Sequence, residues 1–154
     1  MVQSACVLVV DDDAAMREML VSLLEDHGFQ ARAVASAEEA LEKVRETEFD
    51  AVVSDIRMPG KTGLELLGEL RAIRADMPVV LMTGFGSIDS AVAAMRAGAF
   101  HYITKPFKRD EVLVVLERAL ERRALEEENR RLKQIVAEQA LDNRALKELL
   151  SKNF

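Results

Sequence analysis

Short apolar runs alternate with stretches of helical period along most of the chain. Residues 6–10 are wholly apolar and end in Asp11, Asp12 and Asp13, which predicts a buried strand closed by charge. Over residues 14–27 the apolar positions Met16, Met19, Leu20, Leu23 and Leu24 follow a helical spacing that stops at Gly28. Residues 29–35 predict a weaker strand. Ser36 then caps a helix, with Glu39 three places on as its capping-box partner, and the helix runs through Ala40, Leu41 and Val44 toward Thr47. Ala51, Val52 and Val53 form a third apolar run that delivers Asp55 to a turn made by Met58, Pro59 and Gly60. The next helix carries Leu64, Leu67, Leu70 and Ile73 on one face and stops before Pro78. Residues 79–82 make a fourth strand ending at Thr83, and Ser87 caps a small-residue helix with Ala91, Val92, Ala94 and Met95 inward and Gly98 behind it. Residues 100–104 form a fifth strand, ending at Lys105, Pro106 and Phe107. Strands alternating with helices in this way predict an α/β fold, a five-stranded parallel doubly wound sheet with five helices.

The last helical pattern continues well past the fold. Val112, Val115, Leu116 and Leu120 can pack on the sheet, but neither Gly nor Pro interrupts the chain from there to Phe154. With Leu125 at heptad position d, Asn129, Val136, Asn143 and Leu150 fall at a, and Leu132, Gln139 and Leu146 at d. Asparagines at two a positions fix register at some cost in stability and meet each other in a parallel pair. Glu128 then faces Lys133 of the partner helix, and Asp142 faces Lys147. Ile135, Leu149 and Leu141 widen the apolar face, which leaves a higher oligomer or another helical partner open. Residues 1–120 are therefore expected to form the α/β domain and 121–154 a helical coiled-coil extension, reaching about 45 Å if fully helical. The expected partner is a second copy of the chain in a parallel homodimer.

Composition narrows the function classes. A net charge of -6 argues against a nucleic-acid surface, and Arg122, Arg123, Arg130 and Arg131 are interleaved with Glu126, Glu127 and Glu128 as on a solvated helix. Cys6 is the single cysteine, so there is no internal disulfide, and its apolar neighbours predict a buried, inert thiol. No run reaches the ~18 apolar residues of a membrane span, and residues 1–5 do not form a signal peptide, so a cytoplasmic location is the default.

Parallel topology brings the carboxyl ends of the strands to one edge, where ligands collect in open α/β sheets. Asp11, Asp12, Asp55, Thr83 and Lys105 are expected to meet there. The crowded carboxylates Asp11, Asp12 and Asp55 repel one another unless a cation intervenes, and Mg²⁺ suits such a hard oxygen site, with the Arg57 carbonyl as a further ligand. Such an ion would offset charge on an incoming phosphoryl group, Lys105 would hold another of its oxygens, and Asp55 would be the nucleophile that becomes an aspartyl phosphate.

Val9-Val10-Asp11-Asp12, Asp55-Ile56-Arg57-Met58-Pro59-Gly60, Met82-Thr83 and Lys105-Pro106-Phe107 together resemble a response-regulator receiver domain of two-component signalling, over about residues 6–120. Gly86-Ser87-Ile88-Asp89 and Ala97-Gly98-Ala99-Phe100 are similar to receivers of the nitrogen-regulator type that control sigma-54 activators. The resemblance implies a flavodoxin-like fold and a phosphoacceptor at Asp55 served by a histidine kinase. It also implies metal ligation by Asp11, Asp12, Asp55 and the Arg57 carbonyl, phosphoryl contacts from Thr83 and Lys105, and a cis peptide before Pro106. Tyr102 matches the aromatic switch position, whose ring turns inward when Thr83 moves toward the phosphoryl group. Gly84 stands where the family usually has alanine, and Phe85 lies at a variable position near the phosphate entrance; both bear on phosphoryl lifetime and loop mobility. In the tail, Leu125-Glu126-Glu127-Glu128-Asn129-Arg130-Arg131-Leu132-Lys133 resembles the helix linking such receivers to an ATPase domain, while residues 136–152 are similar to the zipper ending the small first protein of insertion-element transposases.

The expected function is thus a phosphorelay receiver that changes its dimer geometry on phosphorylation, self-catalysing phosphotransfer and slow dephosphorylation without being a turnover enzyme. One alternative makes the coiled coil the working part and the receiver passive. Another takes Asp11 and Asp13 as the Asp-x-Asp of a haloacid-dehalogenase-like phosphatase with Asp11 as nucleophile, although the chain is short for that fold.

Overall fold

The computed structural model of the protein describes residues 4–84 and 88–153. The chain runs β1 (Cys6–Val10), α1 (Ala14–Asp26), β2 (Gln30–Val34), α2 (Ala37–Glu46), β3 (Ala51–Asp55), α3 (Gly63–Ile73), β4 (Val79–Thr83), α4 (Ile88–Arg96), β5 (His101–Thr104) and α5 (Arg109–Asn153). The strands form one parallel sheet of order β2-β1-β3-β4-β5, the flavodoxin-like order. Order reverses between β1 and β3, so the connections leave these two strands toward opposite sides and open a crevice at their carboxyl ends.

Two cores flank the sheet because successive strand residues point to opposite faces. Leu8, Val10, Val52 and Leu81 pack on one face with residues of α2, α3 and α4, including Leu41, Leu66, Leu70 and Ala94. Val7, Val9, Val53, Val80, Met82 and Ile103 pack on the other with Leu20 and Leu24 of α1 and Val112 and Leu116 of α5. The central strands β3 and β4 are covered on both sides and buried at every residue, which is why their sequences are apolar without alternation.

Local signals set the helix starts. Ser36 Oγ accepts the Glu39 N–H at 3.2 Å, and the Glu39 carboxylate reaches back to the Ala35 N–H at 2.8 Å, one residue before the cap. Thr62 caps α3 through the Glu65 N–H. Ser87, the expected cap of α4, lies outside the described residues, as do Phe85 and Gly86.

Some expected faces are rotated. In α3 the buried stripe is Gly63, Leu66, Leu67 and Leu70, with Leu64 only half-buried and Ile73 exposed. In α4 Ala94 alone is buried, while Val92 and Met95 are 41% and 49% exposed. At about 100° per residue, a stripe centred on Ala94 leaves Met95 on its flank and Val92 nearly on the opposite face, so the larger side chains expected inward are not the ones that are buried. Cys6 is half-buried rather than enclosed, and burial pushes its thiol pKa up.

By proximity the chain groups into two compact units, Met1–Leu120 and Glu121–Phe154. The second is a single helix whose apolar residues are left to solvent: Leu125, Leu132, Val136, Leu146 and Leu150 are all more than half exposed. Arg122 pairs with Glu126 one turn on at 3.1 Å, an exposed contact that contributes little. Among the described residues, no helix is long and apolar enough to cross a membrane.

Candidate functional site

The site is built where β1 and β3 end side by side. Asp11 is wholly buried, and each of its polar groups is engaged. Its N–H donates to the Val34 carbonyl at 3.2 Å and its carbonyl accepts from Arg17 Nη1 at 2.7 Å. Oδ1 accepts the Asp13 N–H at 2.9 Å, and Oδ2 accepts from Lys105 Nζ at 3.1 Å. A carboxylate this deep persists only when it is paired and hydrogen-bonded. Asp12 next to it is exposed. Asp13 caps α1, its side chain accepting the Ala15 N–H at 3.0 Å.

Asp55, at the end of β3, is 8% exposed. Oδ1 accepts the Arg57 N–H at 3.3 Å and Oδ2 accepts from Lys105 Nζ at 3.3 Å. The turn beyond it is held on both sides: Ile56 N–H donates to the Met82 carbonyl at 2.9 Å, and Gly63 N–H donates to the Ile56 carbonyl at 2.8 Å. A Cβ on Gly63 would clash with the Asp55 carbonyl oxygen and lie 2.8 Å from Ile56 Cα, so glycine lets α3 begin against this strand end. Lys105 is fixed from β5 by its N–H, which donates to the Thr83 carbonyl at 2.7 Å, and the Lys105–Pro106 peptide is cis, as expected.

Carboxylate oxygens of Asp11, Asp12 and Asp55 lie within 4.8 Å of one another. Burial pushes the Asp55 carboxyl above its ordinary range; the Lys105 charge pulls it down and Asp11 pushes it up again, and the net shift is upward. Burial works against the Lys105 ammonium, but its bond to Asp11 and the charges of Asp55 and Asp11 outweigh that and hold its pKa above the ordinary value. The cluster is therefore short of positive charge. Its donor set, all oxygen and anionic, fits a hard divalent cation such as Mg²⁺.

Thr83 ends β4 one residue past the Asp55–Met82 register pair and is 2% exposed. Tyr102 pairs with Leu81 while Thr104 pairs with Thr83, which puts Tyr102 on the same sheet face as Thr83, one pleat back. Its ring packs against the core on that face, and its hydroxyl is buried with no hydrogen-bond partner among the described residues.

The sequence profile of the response regulator receiver domain matches residues 7–117. The chain belongs to this family. Among its relatives, the transcriptional regulatory protein FixJ of Bradyrhizobium diazoefficiens is 40% identical over 114 residues, covering 74% of this chain and 56% of FixJ. The crystal structure of NtrX from Brucella abortus superposes with a TM-score of 0.79 at 38% identity, covering 84% of this chain and 29% of that one. The beryllofluoride-activated NtrC4 receiver domain dimer has a TM-score of 0.74 at 32% identity, covering 77% of this chain and 98% of that one. The receiver described here thus spans little more than half of FixJ and under a third of NtrX. Receivers are phosphoacceptors.

The structure brings Asp11, Asp12, Asp55 and Lys105 of this receiver into contact or near contact, with Thr83 and Tyr102 on the strands beyond. Sequence reasoning passed over Arg17 and the close approach at Gly63. Each left a signal: a basic residue in the first turn of a helix opposes the helix dipole, and a glycine opening a helix lowers its propensity.

Proposed function

We propose that Asp55 accepts a phosphoryl group from a histidine kinase at a Mg²⁺ site formed by Asp11, Asp12, Asp55 and the Arg57 carbonyl. The observation that carries this reading is the Lys105 ammonium, shared at 3.1 Å and 3.3 Å between Asp11 and Asp55 at the edge of an acidic cluster. An Asp55 oxygen attacks phosphorus, the bond from phosphorus to the kinase histidine nitrogen breaks, and the electron pair returns to the imidazole. Mg²⁺, when bound, offsets the charge on the phosphoryl oxygens. Lys105 then exchanges its bond to Asp55 for one to the phosphoryl group, and Thr83 supplies a further hydroxyl contact. As Thr83 moves toward the phosphoryl group, the Tyr102 ring is held inward, and slow hydrolysis of the acyl phosphate resets the receiver. Incubation with Mg²⁺ and acetyl phosphate tests the reading: the intact mass should rise by one phosphoryl group in the wild type and stay unchanged in Asp55→Asn. Equal labelling of both would overturn it.

For the tail, the reading is a parallel homodimer through residues 121–154, with residues 1–120 as the receiver. The exposed a and d side chains Leu125, Leu132, Val136, Leu146 and Leu150 support it. The likeness of residues 136–152 to a transposase zipper points the same way. Dimer geometry would then carry the phosphorylation signal. FixJ is described as a transcriptional regulator, and transcription control in the cytoplasm is the proposed setting for this receiver too. Contact with nucleic acid is assigned elsewhere, because this chain carries a net charge of -6.

A further inference from the structure

We infer that Arg17 is a positioning residue that holds the turn carrying Asp11 and Asp12 in its metal-binding shape. The inference rests on the Mg²⁺ site proposed above. α1 begins at Ala14, so Arg17 lies in its first turn, where the helix dipole disfavours a cation. The side chain does not turn away into solvent. Nη1 reaches back to the Asp11 carbonyl at 2.7 Å, while the Arg17 N–H donates to the Asp13 carbonyl at 3.1 Å. The side chain thereby ties the start of the Asp11-Asp12-Asp13 turn to the helix, whose first backbone bond already holds its end. The Asp11 carbonyl is buried with its residue, and without this donor it would lose its partner. The charge-assisted bond also goes to a backbone oxygen. It brings positive charge to an acidic turn without taking up a carboxylate oxygen of Asp11 or Asp12. A half-buried, weakly hydrated guanidinium suits this place better than a fully solvated ammonium.

A purely electrostatic role predicts the opposite sign. If Arg17 only repelled Mg²⁺, its removal would tighten binding. If it positions the ligands, removal loosens the turn and weakens binding, as happens when groups that orient metal ligands are lost.

Calorimetric titration of the full chain with Mg²⁺ separates the two, using wild type, Arg17→Ala and Arg17→Lys. The expected result is a Kd raised on the order of tenfold in Arg17→Ala, with most of the loss recovered in Arg17→Lys, which can still donate to the carbonyl. In the metal-free proteins, amide hydrogen exchange at Asp12, Asp13 and Ala14 should speed up in Arg17→Ala while β1 and β3 stay protected. If Arg17→Ala does not fold, Arg17→Gln takes its place, with the same direction expected. An unchanged or lower Kd in the variant would overturn the inference, and so would faster exchange throughout the sheet or none in the turn. A wild type that does not bind Mg²⁺ would instead remove the metal site itself, an outcome distinct from failure of the Arg17 role.

Discussion

Gly63 opens α3 so close to Asp55 that one added methyl group would clash with the Asp55 carbonyl oxygen. The helix and the Asp55 carboxylate are thus placed by the same contact. Gly63→Ala is expected to cost about 1–3 kcal/mol, as overpacking of a close-packed site does, despite alanine's better helix propensity. The displacement falls on Asp55, so acetyl phosphate labelling should slow as well. Urea unfolding and labelling rates on the same variant check both effects; a more stable protein with normal labelling would show that the contact is easily relieved.

Asp55 should make the metal-free receiver less stable as pH rises through the weakly acid range. Its folded-state pKa lies above the ordinary 3.8, so the folded protein holds this proton more tightly than the unfolded chain does. That contribution is full below about pH 3.8 and is lost as pH climbs through the raised value. The Lys105 shift is also upward, but its stabilisation persists to its ordinary value of 10.5 and is lost only above that, outside this window. In EDTA, Asp55→Asn should therefore show a flatter dependence of melting temperature on pH between 4 and 7 than the wild type, on the order of one proton's worth. Parallel curves would mean that Asp55 is not destabilised by its surroundings.

Mg²⁺ and Lys105 should substitute for one another in part. Lys105→Met removes the ammonium shared by Asp11 and Asp55, and is expected to cost about 1–3 kcal/mol in EDTA through the buried acceptors left without it. Added Mg²⁺ should stabilise both proteins, by about 2.7 kcal/mol at a hundredfold excess over Kd. The increment in melting temperature should be at least as large for the variant, and small in Asp12→Asn, which lacks one of the proposed ligands. Thermal scans with and without millimolar Mg²⁺ decide the matter.

The long helix should associate through its apolar seam. Glutamate at both Leu132 and Leu146 places charge at two exposed d positions and should convert a dimer to a monomer in sedimentation equilibrium. Acetyl phosphate labelling of the receiver should be retained in that variant. A full-strength dimer after both changes would move the interface off the tail.

Much of the receiver was legible along the chain because its strands are short, continuous and bounded by breakers. Val52 and Val53 are buried on both faces, and a strand of that kind must read as an apolar run, while Asp55 marks its end by interrupting it. Helix faces were less legible. Val92 and Met95 are larger and more apolar than Ala94, yet Ala94 faces the sheet, because packing distance and angular phase select the inward stripe and hydrophobicity alone does not.

By itself, then, the order of residues determined the alternation of strands and helices, the strand-end positions of Asp11, Asp55, Thr83 and Lys105, and the heptads of the tail. Tertiary structure decided which of the aspartates face the site. Asp11 turns inward to meet Lys105 from 94 residues away, while Asp13, two places on, caps its own helix. It also decided that Arg17 closes on a carbonyl and that Gly63 admits no side chain. The reason is physical: strand ends and helix starts follow local patterns of period and capping, but pairing, burial and close approach depend on groups distant in the chain, whose meeting no local pattern encodes.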